Sequence, residues 1–126
     1  MNFLRLIRFQ NLIIIALAQF LIRYCLIFPA YKVSFNVTGK FPDHLSLTYF
    51  CLLVASTVLI AAGGNIINDI ADTTTDEYNK PGKNTIGRVF KAEKANTIAM
   101  IFFGGGILLG FITAMKIGKP VMGMVQ

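Results

Sequence analysis

Three apolar runs of membrane-spanning length constrain this chain more than any other feature. They cover about residues 10–29, 45–71 and 94–116. An α-helix needs ~20 consecutive apolar residues to cross a hydrocarbon layer of ~30 Å. Within that layer every backbone N–H and C=O must find its partner inside the protein, so such runs become helices. A soluble domain of 126 residues has no use for a chain that is 55% hydrophobic and 14% charged, where about 25% charged is usual. The sequence therefore predicts an all-α, polytopic transmembrane helical bundle, with residues 1–126 inside one domain.

The N-terminus, MNFLRLIRFQNLIIIALAQFLIRYCLIF, has the arginines and apolar centre of a signal peptide. It is too long and bulky for one and lacks a small-x-small cleavage site, so it is expected to stay as the first span. Cys25 and Cys51 both fall in apolar runs and are expected to be small buried hydrophobes. No CxxC or Cys/His cluster supports zinc or a disulfide framework.

The net charge of +6 does not signal nucleic acid, because the basic residues flank the spans instead of clustering on one soluble face. Seven of them (Arg5, Arg8, Lys80, Lys83, Arg88, Lys91, Lys94) fall on one side and four (Lys32, Lys40, Lys116, Lys119) on the other. The excess predicts an inner-membrane protein with its N-terminus and the 68–91 loop in the cytoplasm.

Between the spans the sequence is plainer. Arg23 lies about 16 Å along the helix axis from residue 12, near the far interface, where it is expected to snorkel outward past Phe28. Residues 31–44 read as a short outer connection broken by Gly39 and Pro42. Asn36-Val37-Thr38 matches a glycosylation sequon but would lie too close to the membrane to be used, and His44 reads as an ordinary interfacial histidine. The small residues 61–64, 104–106 and Gly110 fall within helices, so they predict close helix packing and not a phosphate-cradling loop.

The chemistry lies in residues 63–88, GGNIINDIADTTTDEYNKPGKNTIGR. On a helix continued through residue 76, Asn65, Asn68, Asp72 and Asp76 stack on one face, with Asp69 one step round. Stacked carboxylates repel one another, and a helix end tolerates them when a cation sits among them. Oxygen donors without His or Cys select Mg²⁺ or Ca²⁺ over zinc. The EF-hand pattern is absent. Lys80, Lys83 and Arg88 follow directly and are the charge-assisted donors that a diphosphate needs.

Asn68-Asp69-x-x-Asp72-x-x-x-Asp76, followed by Asn79-Lys80-Pro81, resembles the first aspartate motif, NDxxDxxxD, of the UbiA superfamily of intramembrane prenyltransferases. Arg8-Phe9-Gln10-Asn11 is similar to that family's R-P-x-N at the start of its first helix. Phe9 stands where proline is common, and Lys83 where arginine is usual, which keeps the charge but loses the bidentate fork. The resemblance implies a bundle of nine transmembrane helices in which two aspartate motifs hold Mg²⁺ and an isoprenyl diphosphate. No second DxxxD motif occurs here, so the chain is expected to supply the first third of such a fold and half of its active site.

The implied roles are Mg²⁺ ligation by Asn68, Asp69, Asp72 and Asp76, the three aspartates being catalytic. Substrate binding falls to Arg8, Asn11, Asn65, Asn68, Lys80, Lys83 and Arg88. The implied partners are an isoprenyl diphosphate, membrane lipid, the rest of the bundle, and a lipophilic acceptor such as a quinone precursor or geranylgeranylglycerol phosphate. The competing expectation is a non-catalytic membrane subunit whose acidic loop binds a cation or a partner protein.

Overall fold

A computed structural model describes residues 2–39, 45–72, 86 and 90–122. Among these the chain is helical throughout apart from short junctions. In order it forms α1 (Asn2–Leu6), α2 (Phe9–Leu21), a π-helical turn (Ile22–Ile27), α3 (Phe28–Thr38), α4 (Leu47–Ala71) and α5 (Ala92–Met122). Three stretches are long and apolar enough to cross a membrane: Phe9–Thr38, Leu47–Ala71 and Ala92–Lys116. The chain is an integral membrane protein of all-α architecture.

The first span departs from expectation. Residues 31–38 are helical instead of belonging to an outer connection. Pro29 lies inside this helical stretch, where a proline would ordinarily clash with the carbonyl four residues earlier. Here it falls in the first turn of α3, directly after the π turn, whose closing bond runs from the Phe28 N–H to the Arg23 carbonyl. The wider turn carries the chain past the proline without ending the helix. Gly39 does terminate it, at φ 68° and with its N–H donating to the Phe35 carbonyl at 2.8 Å. The sequon at residues 36–38 is thus on helix, while Pro42 and His44 lie outside the described residues.

Arg23 does not snorkel outward past Phe28. Its Nη2 donates to the Leu45 carbonyl at 2.8 Å, and its guanidinium lies 4.5 Å from the Phe50 ring centroid. A hydrogen bond and a cation–π contact to the start of α4 replace part of the water that the bilayer denies it. Phe20 meets the same Phe50 edge-on, with centroids 5.1 Å apart.

α4 begins at Ser46, whose hydroxyl accepts from the Tyr49 N–H, and it packs along its length against α5. Gly106 sits where an added Cβ would come within 2.7 Å of Ile60 Cγ1 and 2.9 Å of the Ser56 carbonyl. Ser56 is buried, and its hydroxyl donates to the Gly106 carbonyl at 2.7 Å. Gly63 and Gly110 are also close to the facing helix, whereas Gly64, Gly104 and Gly105 have open space around them. The glycine-packing expectation therefore holds for three positions and fails for three. Cys25 and Cys51 are free and exposed, not buried as expected, because both lie on helix flanks that no other described element covers.

The buried cluster gathers at the end of the bundle where α1, α4 and α5 meet. Leu6 and Ile7 of the N-terminal segment pack with Leu12, Ala62, Ile66, Ile86, Ala95 and Ala99. Small residues on α4 and α5 admit the two larger side chains, so α1 plugs this end of the helix pair.

Candidate functional site

Arg8 joins α1 to α2. Its backbone is left-handed, φ 50° and ψ 55°, and it is the one non-glycine residue with positive φ among the described residues. An L-residue pays ~1–2 kcal/mol for this conformation, so surrounding contacts must hold it there. Its N–H donates to the Arg5 carbonyl at 3.0 Å, and its own carbonyl accepts the Asn11 N–H at 2.8 Å. One helix thus closes and the next opens within a single residue.

This sharp junction turns the Arg8 side chain toward the end of α4. Nη2 reaches Asp69 Oδ1 at 2.6 Å, with the two side chains 43% and 23% exposed. Each charge is unfavourably placed by itself. The carboxylate stands in the last turn of α4, at the negative end of the helix dipole, and the guanidinium stands at the positive start of α2. Paired, each offsets the other. One turn earlier on α4, the Asn65 amide donates to the Ile7 carbonyl at 2.9 Å.

The other anticipated residues are distributed unevenly. Asn68 is exposed on α4, four residues before Asp72, whose N–H closes the helix on the Asn68 carbonyl at 2.9 Å. Asp72 is exposed at the C-cap, so the helix expected to continue through residue 76 is described only to this point. Asn11 is exposed in the first turn of α2. Asp76, Lys80, Lys83 and Arg88 lie outside the described residues. Among the described residues no three His, Cys, Asp or Glu side chains gather as a metal site. What is present is a set of hard oxygen donors at one helix end, Asn68, Asp69 and Asp72, and donors of this kind suit Mg²⁺.

A cavity of about 560 Å³ opens beside the junction, lined by Leu4, Arg5, Arg8, Phe9, Gln10 and Asn11. Arg5 and Gln10 are not among the site residues that the sequence suggests. The three-residue spacing of Arg5 and Arg8 is the sequence signal for Arg5, and the turn between α1 and α2 interrupts it.

These features define a class: a helical integral membrane protein whose acidic helix end is paired with an arginine at the start of its first span. No family model matches the chain, and no solved structure does. Among curated proteins it is 36% identical over 62 residues to the digeranylgeranylglyceryl phosphate synthase of Methanoculleus marisnigri, a match covering 49% of this chain and 22% of the relative. It is also 36% identical over 63 residues to the protein of that name from Sulfurisphaera tokodaii, covering 48% of this chain and 23% of the relative. The chain thus has a partial UbiA-type match, spanning less than a quarter of the length of the relatives it matches.

Proposed function

We propose that the chain is the N-terminal part of a UbiA-type prenyltransferase, which moves an isoprenyl group from an allylic diphosphate to a lipophilic acceptor. The observation that carries this reading is the contact of Arg8 with Asp69. It joins the two stretches that resemble the family's motifs, and the relatives' names point the same way.

In this reading Asn68, Asp69, Asp72 and Asp76 would hold Mg²⁺, which when bound neutralises charge on the departing diphosphate. Lys80, Lys83 and Arg88 donate charge-assisted hydrogen bonds to the same group. The allylic C–O bond breaks, both electrons leave with diphosphate, and the acceptor nucleophile adds to the carbocation and sheds its proton. Apolar faces of the spans keep water from the cation.

The acceptor is read as a glycerol phosphate ether in preference to a quinone precursor. Two arginines, Arg5 and Arg8, line the cavity beside Gln10 and Asn11, and guanidinium groups suit a phosphate head group. The charge balance supports placing this end in the cytoplasm.

The test is transfer of labelled prenyl diphosphate by membranes expressing the complete reading frame, with and without Mg²⁺. Metal-dependent transfer with diphosphate release supports the proposal. Metal binding without release would favour the non-catalytic subunit.

A further inference from the structure

Two successive residues at the α1–α2 junction are held by two residues one turn apart on α4. The Ile7 carbonyl accepts from the Asn65 amide at 2.9 Å, and the Arg8 guanidinium donates to Asp69 at 2.6 Å. Residues four apart on a helix lie on the same face. That face of α4 therefore presents first an amide to the backbone before Arg8 and then a carboxylate to the side chain of Arg8. Ala62 and Ile66, on neighbouring turns, pack against buried Leu6 and Ile7.

We infer that Asn65 is a positioning residue: by holding the Ile7 carbonyl it keeps Arg8 in its left-handed backbone and its guanidinium on Asp69. The junction needs such a hold. Ile7 is 8% exposed, so water does not readily replace a lost partner for its carbonyl. Arg8 occupies a conformation that L-residues leave unless neighbouring contacts over-determine it. With the amide gone, the Arg8 backbone is expected to relax from φ 50° to negative φ, which swings its side chain away from α4. Asn65 thus acts through Arg8 and not on a metal or substrate directly, a consequence for turnover that rests on the prenyltransferase reading.

The full chain in lipid nanodiscs, with ¹⁵N-labelled arginine, gives a readout independent of that reading. Held against a carboxylate, the Arg8 Nη groups rotate slowly and give resolved signals, assigned by their loss in Arg8→Lys. Asn65→Leu, which keeps the branched shape and removes the donor, is expected to collapse them to the averaged signal of a free guanidinium, as Asp69→Asn is. If the leucine variant does not insert, Asn65→Ala is read by the same signal. Resolved Arg8 signals persisting in a helical, inserted Asn65 variant would overturn the inference. In the complete enzyme, Asn65→Leu is expected to raise KM for the prenyl diphosphate several-fold, with no further rise when combined with Arg8→Ala. Additive effects would show that Asn65 does not act through Arg8. A complete enzyme that transfers no prenyl group overturns the functional reading alone, because the nanodisc signals still decide the role of Asn65.

Discussion

Arg8 and Asp69 stand 61 positions apart in sequence and 2.6 Å apart in space. The pair ties the start of the first span to the end of the second, so these two antiparallel helices share one mouth. Because both side chains remain partly exposed, water screens the attraction, and the pair is expected to stabilise the fold by only ~0.5–1 kcal/mol. Arg8→Ala and Asp69→Asn should each lower stability by about that amount, and together by no more than the larger single loss. A double-mutant cycle on thermal unfolding in micelles checks this, and full additivity would show the groups to be uncoupled.

The α4–α5 seam offers a sharper stability test. Gly106→Ala drives a Cβ into the Ile60 side chain and the Ser56 carbonyl, and overpacking of this kind typically costs ~1–3 kcal/mol. Gly104→Ala and Gly105→Ala meet nothing within 4 Å and are expected to be neutral or slightly stabilising. Unfolding of the three variants in mild detergent ranks them directly. An equal response from all three would argue against this seam.

Ser56→Ala removes the hydroxyl bonded to the Gly106 carbonyl. Interhelical hydrogen bonds in membrane proteins average ~0.6 kcal/mol. The loss should therefore be small, well below that of Gly106→Ala, and a larger drop would mean that the seam rearranges.

Arg23→Leu should loosen the outer end of α4. It removes the bond to the Leu45 carbonyl and the contact over Phe50, together worth about 1–2 kcal/mol. Hydrogen exchange in the first turn of α4 is expected to speed up several-fold, while exchange near Asp69 stays unchanged. Unaltered exchange at the first turn would show that Arg23 does not anchor it.

Under the proposed function, Asp72→Ala in the complete enzyme should abolish prenyl transfer. Phe9→Pro, which restores the common residue of the resembling motif, should leave it largely intact. Initial rates with a labelled allylic diphosphate test both, and wild-type turnover from Asp72→Ala would refute the metal role.

The sequence by itself determined that the chain is helical and that it has three spans. Length and uninterrupted apolar character decide these properties locally, because a backbone in lipid has few other ways to satisfy its hydrogen bonds. It could not say which side of each helix meets which neighbour, since helices that are apolar nearly all round carry no stripe to read. Only the tertiary structure decided that Gly106 is in contact and Gly105 is not, and that Arg23 turns to Leu45. The helix running on past Pro29, and the Asn65 amide reaching the Ile7 carbonyl, likewise depend on one extra residue in a π turn and on one left-handed residue. Both are local distortions that helix packing selects and that residue type alone does not announce.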